Sequence, residues 1–472
     1  MRKKGLRQKW KAKKFELKMG FKDFILNLPE VKGPDRRLTF NEKLKWVLIV
    51  LIAFFILSAI PLFGLSENAL SRFEFLAIIL GAKFGSIMSL GIGPIVTASI
   101  ILQLLVGSKI LNIDLKTREG KRFFQGLQKL LAIFFTIFEA CVYVLMKGLE
   151  AKPGLEWFLI LQLFIGGMLV LYMDEIITKW GFGSGVSLFI VGGVAYELFV
   201  RAFTFIGPQG KIQPVGKVWV LFSSFASGNT TEAMSALVAI AATVIIFLLV
   251  VYVQSVRIEV PLSFGRIRGF GLRWPLSFLY TSNIPVILAA ALLANVQLFA
   301  TLLQKYLGRA TFLGGFDSNG VAVSGLAFWL NGPHVIEAAI RGAFHPIMLL
   351  QAFTYILFLI LASILFSVFW VQTSGMDARS VAEQIAASGL KIPGFRNDPR
   401  IIELILSRYI IPLAVMGGAT VGLLAGLADL SGALVRGTGL LLSVMIVYRL
   451  YQEISQQHLY EMNPALRKFF GE

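Results

Sequence analysis

Glu139 has the strongest claim to chemistry in this chain, because it sits inside the apolar run "FFTIFEACVYV". An ionisable group within a membrane-length apolar segment is a functional candidate by default. The alternative is a carboxylate hydrogen-bonded to a neighbouring helix for structural reasons. Beyond Glu139, the residue types that catalysis needs are scarce. The three histidines, His334, His345 and His458, lie in or near expected loops and lack H-E-x-x-H spacing. "FGSGV" approaches a serine-nucleophile loop, but Phe182 stands where G-x-S-x-G requires its first glycine. No P-loop lysine motif and no Cys/His cluster able to hold zinc appears, so no metal, no cofactor and no enzymatic activity are expected. The single cysteine, Cys141, excludes an internal disulfide.

The second charged residue out of place is Lys83, in "GAKFGSIMSLGIGPIVTASIILQLLVG" (81–107). The apolar run there starts at Phe75 and ends at Val106. It is too long for one ordinary crossing, and its glycines and Pro94 interrupt it too often for one straight helix. A Lys at mid-depth costs about 2.5–3.5 kcal/mol on insertion scales. Two pieces resolve this: a segment from about Glu67 to Leu80 that re-enters from outside, then a short helix from about Gly91 that completes the crossing. Irregular backbone at membrane depth is tolerated where it is buried in protein or faces a cavity, so a cavity or pore is expected here. A Pro-kinked ordinary span is the alternative.

The elements that hold these residues follow from composition. The chain has 472 residues, 56% hydrophobic and 15% charged, with mean hydropathy +0.74. Several runs reach the roughly 20 apolar residues that span about 30 Å of hydrocarbon. They are continuous rather than alternating, which excludes a β-barrel. Ten spans are expected, at about 45–63, 91–107, 126–146, 157–178, 182–205, 233–255, 279–302, 346–371, 409–428 and 433–451. The net charge of +18 is distributed by loop. The N-terminus and the second-to-third, sixth-to-seventh and eighth-to-ninth connections carry clustered Lys and Arg, all on one side. Both termini are therefore expected in the cytoplasm, at the cell membrane. No cleavable signal peptide is visible, because the first apolar run starts near Lys45.

Boundaries follow from the same pass. Residues 1–44 form a basic cytoplasmic N-terminus, in which Phe21, Phe24, Ile25 and Leu28 mark one face of an interfacial amphipathic helix. Residues 45–205 hold spans one to five and 233–453 spans six to ten. Between them, 206–232 is an external hinge or a plain loop, and 454–472 is a cytoplasmic tail. Five spans per half invite an inverted repeat, since an odd number flips the second half. Broken helices and inverted repeats also mark secondary transporters, the alternative function. Transporters gather polar ligands at mid-depth, whereas the broken helices here carry Ile92, Val96 and Ile287. Such a lining seals by dewetting, which suits a channel for something large and chemically varied.

Six ordered motifs then become recognisable: "GIGPIVTASIILQLL", "MDEIITKWGFGSGVSLFI", "VRIEVPLSFGRIRG", "YTSNIPVILAAALLANVQLF", "FWVQTSGMDARSVAEQI" and "GTGLLLSVMIVYRLYQEI". Together they resemble the SecY protein-translocation channels, most closely the archaeal and eukaryotic branch. The resemblance implies an all-α polytopic membrane protein whose ten transmembrane helices form two pseudo-symmetric inverted halves around a central pore, with a re-entrant plug helix at about 67–80. It implies the pore-forming subunit of a protein translocon, which passes unfolded secretory polypeptides and releases hydrophobic segments sideways into the bilayer. It places a pore ring on Ile92, Val96, Phe182, Val186, Ile287 and Leu442, with Phe182 departing from the usual isoleucine-like residue and either narrowing the ring or packing aside. It assigns the lateral gate to Thr97, Glu139 and Asn295, and docking of a cytoplasmic ribosome or motor to Arg266, Arg268 and Arg396. The partners implied are small SecE-type and Secβ-type subunits, the nascent polypeptide with its signal sequence, and the lipid bilayer.

Overall fold

The structure is a computed structural model. It describes residues 25–68, 82–205, 215–264, 271–317, 321–391 and 399–462, apart from positions 26, 37, 109, 112, 114, 116, 282, 388 and 389. Helix α1 (Phe40–Ala59) opens with a capping box, in which the Thr39 side chain accepts from the Glu42 amide and the Glu42 side chain answers. A short strand β1 (Leu65–Asn68) follows. The long apolar run then yields one short helix among the described residues, α2 (Gly93–Gly107). Its fifteen residues span about 22 Å, less than the hydrocarbon core, and non-helical residues 82–92 make up the depth. Pro94 starts α2 at a position where its missing N–H costs nothing. Helices α3 (Arg118–Leu145), α4 (Glu156–Trp180) and α5 (Gly185–Phe203) complete the first half, with strand β2 (Leu149–Ala151) pairing antiparallel to β1.

A link helix α6 (Lys217–Ser227) leads to α7 (Thr230–Ser255), the hairpin β3 (Arg257–Phe264) and β4 (Gly271–Ser277), and α8 (Ile284–Leu307). Outside α8 lie the small hairpin β5 (Gly315–Phe316) and β6 (Ala322–Ser324) and the short helices α9 (Gly325–Trp329) and α10 (Val335–Ile340). The chain closes with α11 (Ile347–Thr373), α12 (Ala378–Ala387), β7 (Leu390–Lys391), α13 (Pro399–Leu430) and α14 (Gly437–Met462). Among the described residues, seven helices are long and apolar enough to cross a membrane. With α1, the short α2 and α14 they make the ten expected spans.

The two halves repeat one packing plan. α2 lies on α3 as α8 lies on α11, α3 on α4 as α11 on α13, and α1 on α4 and α5 as α7 on α13 and α14. The corner between the last two helices of each half is built twice. Asp174 of α4 accepts from the Val186 amide at 3.0 Å, and Asp429 of α13 accepts from the Thr438 amide at 2.8 Å. Each carboxylate satisfies a helix N-terminus that has no intrahelical partner and sits at the favourable end of the dipole. Both corners need glycine: a Cβ on Gly185 would lie 2.6 Å from Asp174 Cα, and one on Gly437 2.1 Å from the Ala428 carbonyl carbon. Of the alternating glycines of "GFGSGV", Gly181 and Gly185 are explained by close packing and Gly183 by its left-handed backbone, φ 66°.

Three expected boundaries change. The stretch expected as a plain hinge or loop holds α6, capped by left-handed Gly228, while 206–214 lies outside the described residues. Glu67 and Asn68, expected to open the plug, are strand residues of β1, and 69–81 lies outside the described residues. α14 runs to Met462, into the expected tail. Of the amphipathic helix face, Ile25 is helical and 1% exposed; Phe21 and Phe24 lie outside the described residues.

Candidate functional site

Aliphatic side chains from both halves converge where the halves meet. Ile92, Val96, Ile287 and Leu442 belong to one buried apolar cluster, with Val186 packed against it. Each comes from an element that starts there: Ile92 caps α2, Val96 is in its first turn, Val186 opens α5, Ile287 opens α8 and Leu442 lies in the second turn of α14. Above them opens a cavity of about 720 Å³, lined by Val96, Val186 and Ile287 at its base and by Gln103, Arg449 and Glu453 higher up. The cavity reaches Glu453 of α14, one turn before Gln457, whose Oε1 accepts from Lys43 Nζ at 2.9 Å and whose amide donates to the Leu38 carbonyl. Of the five, Val96, Val186 and Ile287 line this cavity, while Ile92 and Leu442 belong to the apolar cluster that backs them.

Phe182 does not share in lining that cavity. It joins the same apolar cluster, but its ring packs 5.4 Å from that of Phe40 and lies under Lys43 Nζ at 5.3 Å. The aromatic residue packs aside against α1, held by a cation–π contact. Of the two outcomes left open for this position, the geometry is that of packing aside. Ile95, Ile284 and Leu288 line the cavity instead. They lie beside expected positions on the same helices, and their direction is set by tertiary packing that hydropathy does not encode.

The three polar residues expected at the seam are brought together. Thr97 of α2 donates to Glu139 Oε1 of α3 at 3.1 Å, and Asn295 Nδ2 of α8 donates to Thr97 Oγ1 at 3.0 Å. The chain of bonds crosses from the first half to the second. Glu139 is 3% exposed, and burying a carboxylate is costly unless it is hydrogen-bonded. Glu139 is thus a hydrogen-bonded carboxylate whose own bond stays within the first half and reaches the seam through Thr97. A second bond, Gln128 to Ser99 at 2.7 Å, ties α3 to α2 within the first half. Sequence reasoning passed over Gln103 and Gln297, both buried amides on α2 and α8. Their signal was available, since each interrupts an apolar run. Arg266, Arg268 and Arg396 lie outside the described residues. In the sequence, Arg266 and Arg268 fall between the paired strands β3 and β4.

Among the described residues no group of three His, Cys, Asp or Glu could hold a metal ion. His334 lies outside the spans, at the start of α10, and burial together with the neighbouring Arg436 holds its imidazole below the ordinary range.

Comparison with known proteins accords with this geometry. The family model described as SecY matches residues 86–451. The protein translocase subunit SecY of Methanothermobacter thermautotrophicus is 48% identical over 463 residues, covering 97% of this chain and 100% of that protein. The same subunit of Methanocaldococcus jannaschii is 40% identical, covering 94% and 98%. A solved structure described as a protein conducting channel superposes with a TM-score of 0.80 at 40% identity, covering 94% of this chain and 98% of its own. Sec61 in a canine ribosome–channel complex from the endoplasmic reticulum gives 0.76 at 39%, with the same coverage. A chain with ten spans in two inverted halves, an aliphatic cluster where they meet and these relatives over nearly its whole length belongs to the SecY family.

Proposed function

We propose that this chain is the pore-forming subunit of a protein translocon, passing unfolded polypeptides through its centre and releasing hydrophobic segments sideways. The observation that carries this reading is a cavity of about 720 Å³ that ends against aliphatic side chains, beside a seam bridged by Thr97, Glu139 and Asn295. A hydrophilic chain needs a water path with one dry constriction, and aliphatic side chains supply that by dewetting. A hydrophobic segment needs an exit to lipid. Leu-like residues gain about 0.3–0.6 kcal/mol each on insertion scales, so a segment of about 20 gains several kcal/mol by leaving sideways. Sorting is then partitioning and needs no bond chemistry, in keeping with a family of channels rather than enzymes. A secondary transporter would place polar ligands where Ile92, Val96 and Ile287 stand.

Assigned roles follow. Ile92, Val96, Val186, Ile287 and Leu442 seal the pore, and Thr97, Glu139 and Asn295 hold the lateral gate between α2/α3 and α8/α11. Arg266, Arg268 and Arg396 dock a cytoplasmic partner. The partner most consistent with the relatives is a ribosome, since one of them is Sec61 within a ribosome–channel complex. Its polyanionic RNA would make docking salt-dependent. Small SecE-type and Secβ-type subunits complete the assembly. Both termini face the cytoplasm of a cell-membrane protein, as the basic loops require.

The test is reconstitution. Proteoliposomes carrying the chain with a small single-span clamp subunit are given ribosomes bearing a signal-containing nascent chain, and protease protection of that chain is measured. Protection that depends on the signal supports the reading. Uptake of small solutes along an ion gradient, with no protected polypeptide, overturns it in favour of a transporter.

A further inference from the structure

The seam between the halves is held at two levels. The polar level, Thr97 with Asn295, lies in the first half of α2. Ten residues further on, about 15 Å along the helix axis, α2 ends at Gly107, which is buried against Phe369 of α11. A Cβ built on Gly107 would lie 2.7 Å from both Cδ1 and Cγ of the Phe369 ring and 3.1 Å from its Cβ. Real side chains do not approach so closely, and the obstacle is the stem of an aromatic ring, which cannot swing clear as the end of a flexible chain could. Only glycine lets α2 and α11 close here.

This contact stands beside the funnel. Gln103, one turn before Gly107, and Trp370, next to Phe369, both line the cavity of about 720 Å³. A hydrophobic segment arriving in the funnel therefore meets the α2–α11 contact before it reaches the polar level. We infer that Gly107 and Phe369 form a latch on the entry side of the lateral seam and help set how hydrophobic a segment must be to part it. This rests on the reading of α2/α3 against α8/α11 as the lateral exit. The ring covers bare helix backbone, so closure buries apolar surface at that point, and an entering segment must replace the ring with its own side chains. Thr97 and Asn295 act through a hydrogen bond, whereas the latch acts through shape alone. The two levels are separable by mutation.

Gly107→Ala adds the methyl group that the closed seam cannot hold, so α2 and α11 part or the ring is displaced. Overpacking of this kind destabilises the closed form. In a graded Leu/Ala series of test segments inserted by proteoliposomes, the midpoint should fall by about one to two leucines. Gly107→Ala combined with Phe369→Ala removes the clash and should return the midpoint part of the way to the parent value. A second variant guards against misfolding. In a Cys141→Ser background, Gly107→Cys with Phe369→Cys brings two Cβ positions to a separation of about 3.1 Å in the closed form, a few tenths of an ångström short of disulfide geometry. Oxidation should abolish segment insertion, and reduction should restore it on the same sample. A Gly107→Ala midpoint equal to or above the parent's, with an Asn295 variant still shifting its own, overturns the latch and keeps the seam. Insertion that survives verified oxidation of the Cys pair overturns both, because the exit then lies elsewhere.

Discussion

Replacing Asn295 by leucine tests the polar level of the seam, and its sign can be worked from the structure. Asn295 Nδ2 donates to Thr97 Oγ1 at 3.0 Å, and Thr97 in turn donates to Glu139 at 3.1 Å. Asn295→Leu removes one bond across the seam but leaves Thr97 and Glu139 paired with each other, so no buried carboxylate is orphaned. Interhelical bonds of this type contribute about 0.6 kcal/mol on average in a membrane protein. Against that, leucine adds apolar contact. Full burial of such a side chain is worth about 1.5–3 kcal/mol, and position 295 is half-buried, so about half of that, ~0.75–1.5 kcal/mol, is available in the closed seam. Opening towards a wet pore forfeits it. The net is about 0.2–0.9 kcal/mol in favour of closure, a factor of about 1.3–5 in the gate equilibrium. With leucine worth about 0.6 kcal/mol on insertion scales, the midpoint of a graded Leu/Ala series should rise by up to about one and a half leucines. Weakly hydrophobic segments fail first and strongly hydrophobic ones still insert. A midpoint unmoved, or moved towards fewer leucines, would refute the reasoning, because the lost bond would then outweigh the gained contact.

Three further outcomes are expected. Replacing Ile92, Val96 and Ile287 together by serine should raise the resting conductance in planar bilayers, since the floor of the funnel then wets; conductance equal to the parent's would remove them from the constriction. Phe182→Ile should leave that conductance unchanged, because the ring packs on Phe40 beneath Lys43, while lowering thermal stability in detergent by about 1 kcal/mol through lost aromatic and cation–π contact. His334 is held neutral by burial and by Arg436. A folded-state value below the ordinary 6.5 means that the unfolded form binds the proton more readily, so stability is full above about pH 6.5 and declines as pH falls through the lowered value. Limited proteolysis of the α9–α10 loop should accelerate on acidification below pH 6.5, and His334→Gln should abolish that dependence.

Much of this architecture was legible in the sequence. All ten spans appear as helices because continuous apolar length is a strong signal, and the run from Phe75 to Val106 was readable as broken because Lys83 and Pro94 have no place in a single straight span. Glu139 and Asn295 stood out as polar residues inside apolar runs, the SecY resemblance added Thr97, and the three meet. What hydropathy left open or passed over has one cause. Phe182 turns aside because Phe40 and Lys43, about 140 residues away in the chain, offer it a better surface. Gly107 reads as one glycine among many until Phe369 lies over it. Asp174 and Asp429 look alike in role only once each is found bonded to the start of the next helix. Hydropathy records what a residue prefers, and it does not record which distant residue will supply it.

The bonds between Lys43, Leu38 and Gln457 have a consequence in time. Lys43 and Gln457 are 414 positions apart, and at roughly 5–20 residues per second of synthesis the first waits about 20–80 s for the second. α14 also packs on α5 and carries Leu442. Until α14 has been made, α5 lacks its packing partner there and the apolar cluster where the halves meet lacks Leu442. On the function proposed above, a chain that stops after α13 is an unsealed channel, and the growing chain depends on being covered by other proteins or lipid until α14 arrives to close the circle.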